Sequence, residues 1–191
     1  PNTLDTLFHY QVKKTGKEKV LGTGLAASPG AAVGSIVFSS DRAVELSKLK
    51  KKIVLVRPET TADDVRGMSV SEGFLTQKGG MTSHAAVVAR AMGKPAVVGA
   101  ENITVNVRDG TLICNGITLR EGDMITVDGT NGEFIIGVTD LEKPSVGNET
   151  ELLLKWSDEF RSLGIRANAN TPEEARLARK NGRGRNWSGK N

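Results

Sequence analysis

The sequence predicts a layered α/β domain over about residues 20–140 of a 191-residue chain. Two patterns predict it. Apolar runs rich in β-branched residues alternate with helical periodicity up to about residue 98, and pairs of short strands separated by tight turns follow. Strands that alternate with helices and then give way to strand pairs are typical of packed layers of sheet and helix. The composition agrees, because 38% apolar and 25% charged residues are ordinary for a globular domain.

The first part of this domain is predicted to contain buried strands, each followed by a helix or a helical turn. The predicted strands are residues 31–39, 52–57, 73–77 and 96–98. The predicted helical segments are residues 41–52, 62–68 and 81–92. A side chain that can cap a helix stands before each of them: Ser40 or Asp41, Thr60 or Thr61, and Thr82 or Ser83.

The second part of the domain is predicted to be made of hairpins. Its predicted strands are residues 103–107, 111–114, 117–119, 124–127 and 133–137. Asn115-Gly116 and the glycine-rich segment 128–132 supply the residue types that tight turns between strands require.

The two ends of the chain differ from the domain in their residue pattern. Residues 1–20 are interpreted as a linker, the domain itself as residues 21–140, and residues 141–191 as a separate C-terminal part. In that part we predict a linker helix at 151–163, a strand at 165–169 and a helix start at 171–175. One strand and one helix cannot bury a core of their own, so this part is expected to be a fragment of a larger domain.

Composition and charge argue against several classes of function. The six basic residues beyond position 175 have no acidic counterpart there, and removing them from the net charge of +4 leaves −2 for residues 1–175. A nucleic-acid partner is therefore not expected, because the basic charge is confined to the tail and aromatic residues are scarce. No apolar run reaches the ~20 residues that span a membrane, and neither a membrane partner nor a signal peptide is expected. We expect a cytoplasmic protein without a metal site of its own, since it has one cysteine, Cys114, and only two histidines.

The segment from Gly79 to Gly99 is the part of the sequence that points to a reaction. Gly79 and Gly80 allow close backbone approach, and a cap at Thr82 or Ser83 would place His84 in the first turn of the predicted helix. Unpaired backbone amides and the positive end of the helix dipole favour an anion there, such as a phosphoryl group on the imidazole. The alternative is that His84 is an ordinary helix residue near the core.

This segment resembles the phosphohistidine signature of the phosphoenolpyruvate-utilising enzymes, G-G-x-T-[SC]-H-x-A-x-x-A-R-x-x-G-x-P-A-V-x-G, and it matches every fixed position. The segment at 27–34 resembles the A-S-P-G-x-A-x-G of the same family. The residues at 55–68 and 80–90 are similar to those of the pyruvate, phosphate dikinase branch. The phosphoenolpyruvate synthase branch usually has Arg at position 81 and Cys at position 83. The likeness extends over about residues 20–182.

The resemblance implies a fold and a set of roles. It implies a β/β/α swivelling phosphohistidine domain, followed by a linker helix and the first strand and helix of a truncated phosphoenolpyruvate- and pyruvate-binding (β/α) barrel. His84 matches the histidine that carries the phosphoryl group, with Gly79, Gly80, Thr82 and Ser83 supporting the site. Arg166 matches a barrel arginine that binds the phosphoryl group of phosphoenolpyruvate, although a surface arginine is the simpler reading of that residue alone.

The implied reaction is the interconversion of ATP, phosphate and pyruvate with AMP, pyrophosphate and phosphoenolpyruvate. The implied partners are an ATP-grasp domain and the barrel domain of a complete enzyme, whose Mg²⁺ would have its ligands outside this chain. Thr82 also matches a threonine that plant regulatory kinases modify, while a helix cap would explain it equally well. A phosphoenolpyruvate synthase fragment and a catalytically idle binding module remain the alternatives.

The end of the chain departs from the pattern of the family. Asn170 stands where aspartate is usual, and the last ten residues replace a glycine-rich strand segment of the barrel. A shifted reading frame near Gly182 would restore that segment. We therefore expect the basic tail to have no evolved partner and to be disordered or held only by incidental contacts.

Overall fold

A computed structural model describes residues 9–16 and 18–142, and in the remainder only residues 152, 156, 159–160 and the backbone of 166–168 and 185–187. The chain divides into two compact units, residues 1–145 and 146–191. The first unit has the mixed α/β architecture that the sequence predicts, with one large sheet and three helices among its described residues.

An eight-stranded sheet forms the centre of the first unit, in the order β2-β12-β11-β4-β5-β6-β7-β3. Its strands are β2 (Val20–Thr23), β3 (Leu25–Ser28), β4 (Ala31–Val37), β5 (Ile53–Arg57), β6 (Gly73–Thr76), β7 (Ala96–Val98), β11 (Met124–Asp128) and β12 (Glu133–Ile136). Strands β4, β5, β6 and β7 are parallel to one another, whereas all other pairs in this sheet are antiparallel. The carboxyl ends of β5, β6 and β7 therefore meet at one edge of the sheet.

The helices follow the parallel strands, and their bounds differ somewhat from the prediction. They are α1 (Ser40–Lys48), α2 (Val65–Val70) and α3 (His84–Met92), and a 3₁₀ turn at Ala62–Asp64 leads into α2. Helix α1 is capped by Ser39, not by Ser40 or Asp41, and it ends four residues before position 52 because Lys50 takes a positive φ of 56°. Helix α3 begins at His84 instead of residue 81, because Ser83 is extended and accepts a hydrogen bond from the amide of Ala86.

Alternate side chains of the parallel strands serve two different cores. On one face, Val54, Val56, Leu75 and Val97 join a cluster with residues of a three-stranded sheet, β8 (Ile103–Asn106), β9 (Thr111–Cys114) and β10 (Ile117–Arg120). On the other face, Leu55, Phe74, Ala96 and Val98 contact α2 and α3, while Ile53 contacts α1. The large sheet therefore lies between a small sheet and the helices, which makes three layers.

A short strand pair involves the N-terminal residues that the sequence analysis interprets as linker. Strand β1 (Gln11–Val12) pairs antiparallel with β13 (Leu141–Glu142), and Val12 is buried against Ala31, Ile135 and Leu141. Sequence analysis did not predict this pair, because a two-residue strand has no periodicity and the paired residues are about 130 positions apart. The division of the chain into residues 1–20, 21–140 and 141–191 stays a prediction.

The second unit is described only in part. Leu152, Trp156, Glu159 and Phe160 are helical and exposed, and the rest of the predicted helix at 151–163 lies outside the described residues. Strand β14 (Arg166–Asn168) falls within the predicted strand and pairs in parallel with β15 (Arg185–Trp187). An extended segment can satisfy its backbone groups on β14 whatever its side chains are, so the expectation of a tail that is disordered or held only by incidental contacts stays a prediction. Among the described helices, none has the length and apolar character needed to cross a membrane.

Candidate functional site

The candidate site lies where three parallel strands end. The segment after β5 contains Thr60, the segment after β6 runs from Gln77 to His84, and the turn after β7 contains Gly99. Backbone bonds join the first two segments: the amide of Gln77 donates to Arg57 O at 3.1 Å and that of Lys78 to Pro58 O at 2.8 Å. The carboxyl edge of a parallel sheet is the usual place for a binding site in α/β folds, because the loops that leave it converge.

His84 is the first residue of α3 and is partly exposed. The side chain of Ser83 accepts a hydrogen bond from the amide of Ala86 at 3.4 Å, so Ser83 is the cap and Thr82 is not. Ala85, Ala86 and Ala89 are at most 2% exposed and pack on the sheet, as the small-residue pattern predicts. The buried side of α3 is thus occupied by alanines, and the histidine stands at the end of the helix that carries unpaired amides.

A hydrogen bond fixes the orientation of the His84 ring. The hydroxyl of Thr60 lies 3.2 Å from Nδ1 of His84, and which of the two donates depends on the tautomer of the imidazole. Both side chains are partly buried. One ring nitrogen is therefore engaged by the protein, which leaves Nε2 as the nitrogen available for a reaction.

Sequence analysis did not identify Thr60 as a site residue. It considered Thr60 only as a possible helix cap, and the structure gives that position to Thr61. The signal that could have found Thr60 is topological, because β5 and β6 are parallel neighbours and the residues that follow them must lie close together.

Gly79 and Gly99, which lie on either side of α3 in the sequence, allow one close backbone contact. A Cβ atom on Gly99 would lie 2.5 Å from the carbonyl oxygen of Gly79, and Gly99 has a φ of +62°. Gly79 itself has a φ of +116° and sits 3.0 Å, measured from an added Cβ, from the Ser83 side chain. Gly80 is exposed with no atom within 4 Å of such a Cβ, so space for an incoming group exists there.

Arg90 holds the backbone that precedes His84. Its Nη2 donates to Met81 O at 2.7 Å and its Nη1 to Ala27 O at 3.0 Å. The guanidinium therefore ties the histidine loop to the end of β3, which explains why an arginine stands on an exposed face of α3. Sequence analysis quoted Arg90 within the motif but gave it no role, because a contact between residues nine apart follows no helical periodicity.

The other predicted site residues are placed as follows. Thr82 is exposed, and Gly79 lies at the close contact described above. The backbone of Arg166 belongs to β14 in the second unit, and its side chain lies outside what the structure describes. His9, the second histidine, lies against Gly30 at 3.0 Å from an added Cβ. In the described part of the chain, no three His, Cys, Asp or Glu side chains gather as a metal ion would require.

The site can hold an anion next to a nucleophile. A partly exposed imidazole with one engaged nitrogen stands at a helix N-terminus, where the helix dipole stabilises negative charge. Exposed residues 78–82 surround it, so a phosphoryl donor has access from solvent. Among side chains at this edge, only an imidazole offers an uncharged nitrogen nucleophile near neutral pH.

Comparison with known proteins gives a family for the region that contains the site. Residues 49–132 match the family model described as PEP-utilising enzyme, mobile domain. The segment contains Thr60, His84, Arg90 and Gly99, so all elements of the site lie within the matched region.

The relatives are long enzymes of one kind. Pyruvate, phosphate dikinase of Rhizobium meliloti (strain 1021) is 47% identical over 94% of this chain and 20% of its own length. The chloroplastic pyruvate, phosphate dikinase 1 of Arabidopsis thaliana is 45% identical over 95% of this chain and 19% of its own length. An NMR solution structure of Enzyme I is 30% identical over 60% of this chain and 39% of that chain, with a TM-score of 0.35.

The chain thus spans about a fifth of the length of the curated relatives that it matches. The histidine loop, helix α3 and strands β5, β6 and β7 lie within the residues 49–132 that match the family model. The chain belongs to the family of phosphoenolpyruvate-utilising enzymes, and pyruvate, phosphate dikinases are its relatives.

Proposed function

We propose that this chain relays a phosphoryl group through His84 in the reaction that interconverts ATP, phosphate and pyruvate with AMP, pyrophosphate and phosphoenolpyruvate. The observation that carries the proposal is the contact of Thr60 Oγ1 with Nδ1 of His84 at 3.2 Å. It orients the ring so that Nε2 is the nitrogen that faces a donor. An ordinary core histidine would need no such arrangement at the exposed edge of a sheet.

The chemical step gives the two ring nitrogens different roles. A neutral imidazole that donates its Nδ1 proton to Thr60 carries the lone pair on Nε2. Nε2 attacks phosphorus, the bond from Nε2 to phosphorus forms, and the bond from phosphorus to the leaving group breaks. The Nδ1 proton stays on the ring, where Thr60 continues to accept it and stabilises the charge of the phosphorylated imidazole. The reverse sequence transfers the phosphoryl group to an acceptor.

The rest of the proposal concerns the longer protein that such a relay needs. The first unit would act as a β/β/α swivelling domain, and the second unit as a linker helix and the start of a phosphoenolpyruvate- and pyruvate-binding barrel in which Arg166 binds the phosphoryl group. An ATP-grasp domain would supply the nucleotide site. Mg²⁺ would neutralise phosphate charge in the complete enzyme, with ligands from segments outside this chain, because the described residues offer no cluster of metal ligands.

The location of the protein is part of the same proposal. We place it in the cytoplasm, where a free thiol persists, because Cys114 is the only cysteine and is buried. Burial also raises the pKa of the Cys114 thiol, so this cysteine is expected to stay protonated and unreactive.

The proposal can be tested on the chain as it stands with phosphoramidate, a small phosphoryl donor that needs no partner domain. We expect one acid-labile phosphoryl group, with 31P NMR showing it on Nε2, and ammonia as the leaving group. His84→Ala should lose it, whereas His9→Ala, which removes the only other histidine, should keep it. Phosphorylation of the His84→Ala variant at the wild-type rate would refute the relay.

Two alternatives give different results in related assays. A catalytically idle module would leave His84 unphosphorylated although the protein is folded. A phosphoenolpyruvate synthase would be independent of inorganic phosphate when this chain replaces the matching segment in a full-length relative. The sequence of residues 80–90 favours the dikinase, and for a dikinase we expect activity to depend on inorganic phosphate.

A further inference from the structure

We propose that Asp64 is a positioning residue which, together with Arg57, holds Thr60 against His84. The proposal rests on the proposed function, because it concerns the ring that carries the phosphoryl group. Neither Asp64 nor Arg57 contacts His84 in the described hydrogen bonds, and both would act only through the segment that bears Thr60.

Asp64 is fixed to the backbone next to Thr60. Its Oδ2 accepts a hydrogen bond from the amide of Thr61 at 3.0 Å, and the hydroxyl of Thr61 lies 3.5 Å from the same oxygen. Asp64 is 3% exposed although it is a carboxylate in a turn, whereas its neighbour Asp63 is exposed. The carboxylate thus faces inward toward the segment and holds the residue that directly follows Thr60.

Arg57 holds the other end of the same segment. Its Nη1 donates to Phe38 O at 2.8 Å, and its Nε lies 3.4 Å from Oδ2 of Asp64 without a hydrogen bond to any described residue. The backbone carbonyls of Arg57 and Pro58 also accept bonds from the strand segment after β6. Three residues between two anchored ends leave Thr60 little freedom.

Stability alone gives a weak reason for this ion pair. Both side chains are largely removed from water, with 22% of Arg57 and 4% of Asp64 exposed. The desolvation of such a pair commonly offsets its attraction, and an Nε without hydrogen-bond geometry lowers the gain further. A pair of this kind is better explained by the geometry that it enforces, and the geometry here is that of residues 58–61.

The consequence for His84 is a fixed ring orientation. A hydroxyl can both donate and accept, so Thr60 held 3.2 Å from Nδ1 keeps its contact with that nitrogen in either tautomer of the neutral imidazole. In both tautomers, Nε2 is the ring nitrogen that the protein leaves for a donor. If residues 58–61 loosen, the ring turns away from Thr60 for part of the time and Nε2 no longer faces the donor.

The test compares Asp64→Ala with a matched control in the same turn, Asp63→Ala, whose side chain is exposed. Two quantities are measured on the purified chain: the contact of the His84 ring with Thr60, from nuclear Overhauser effects between the ring protons and the Thr60 methyl group, and the rate of phosphorylation by phosphoramidate. Asp64→Ala should weaken these Overhauser effects and lower the rate on the order of tenfold, whereas Asp63→Ala should change neither. Wild-type values in a folded Asp64→Ala protein would overturn the proposal.

A double-mutant cycle separates positioning from general damage. Thr60→Val removes the hydroxyl and keeps the volume, so it should lower the rate by the same order as Asp64→Ala. If Asp64 acts through Thr60, the double variant should be no slower than Thr60→Val alone. Rate losses that multiply, giving on the order of a hundredfold in the double variant, would show that Asp64 acts elsewhere and would overturn the proposal.

Two further arms keep the result decisive. Should Asp64→Ala not fold, Asp64→Asn serves in its place, because an amide oxygen can still accept from Thr61 while the charge opposite Arg57 is lost. We expect a smaller loss of the same kind, and no further loss of rate when Asp64→Asn is added to Thr60→Val. The contact of the ring with Thr60 is measured without phosphoryl transfer. A wild-type protein that does not accept a phosphoryl group would therefore refute the proposed function, while Asp64 would still be judged on the ring contact.

Discussion

Replacing Gly99 by alanine should disturb the histidine loop from the side of β7, and Gly93 provides a matched control. The two glycines have nearly the same backbone conformation, with φ of +62° and +63°. A Cβ on Gly93 meets nothing within 4 Å, whereas a Cβ on Gly99 would lie 2.5 Å from the carbonyl oxygen of Gly79. The comparison therefore isolates the close contact from the cost of the left-handed conformation.

The magnitudes follow from these distances. A left-handed conformation costs an alanine about 1–2 kcal/mol, and this cost is common to Gly93→Ala and Gly99→Ala. The Gly99 contact falls about 0.9 Å short of the 3.4 Å at which ordinary van der Waals contact begins, and backbone atoms must move to relieve it. Such crowding typically costs a further ~1–3 kcal/mol. We therefore expect the free energy of unfolding of Gly99→Ala, measured by urea denaturation, to be lower than that of Gly93→Ala by about 1–3 kcal/mol.

A displacement of the Gly79 carbonyl in Gly99→Ala should also slow the reaction at His84. Gly79 leads through four residues to His84, so a shift of its carbonyl should misplace the loop and lower the rate of phosphorylation by phosphoramidate by ~10-fold or more. Gly93→Ala, at the far end of α3, should leave the rate unchanged after correction for the folded fraction. Equal stabilities and equal rates in the two variants would show that the approach of Gly79 to Gly99 does not support the site.

Three further predictions concern single side chains. Ser83→Ala removes the cap of α3 and should cost about 1 kcal/mol in urea unfolding. Arg90→Gln releases Met81 O and should cost on the order of 1 kcal/mol and slow the phosphorylation of His84, whereas a purely structural role for Arg90 predicts an unchanged rate. Hydrogen bonds from Thr15, first from its amide, lower the pKa of Glu18 to about 2, so its contribution to stability is present above pH 4.5 and is lost as the pH falls toward 2; Glu18→Gln should show a smaller loss of stability over that range in pH-dependent unfolding.

Local patterns predicted much of the fold because strand periodicity and helix caps depend only on residues that are close in sequence. The alternation of Val54, Leu55 and Val56 between two cores, and the start of α3 next to Ser83, both follow from the period of a strand or the chemistry of a cap. The ends of the elements were less certain: the predicted helix at 41–52 stops at Lys48 because Lys50 adopts a positive φ. Nothing in the residue type of Lys50 announces that conformation, since lysine rarely adopts it.

The candidate site was predicted in its centre and missed in its surroundings. His84 stood out because glycines and a cap surround it within one segment. Thr60, Asp64 and Arg90 support it from positions 24, 20 and 6 residues away, through parallel strand order and a reach along α3 that no short pattern records. The resemblance of sequence predicted the role of His84. Only the pairing of β5 with β6 shows which residues hold its ring.

The way His84 is held also bears on how it could serve two active sites. Its helix is seated on the sheet by Ala85, Ala86 and Ala89, which are at most 2% exposed and leave no room to tilt. Its ring is held by Thr60 and its loop by Arg90 and the contact at Gly99. A loop fastened at so many points cannot swing a phosphoryl group over a long distance without breaking those contacts. The relay that we propose therefore requires the first unit to travel as a body with His84 fixed on it.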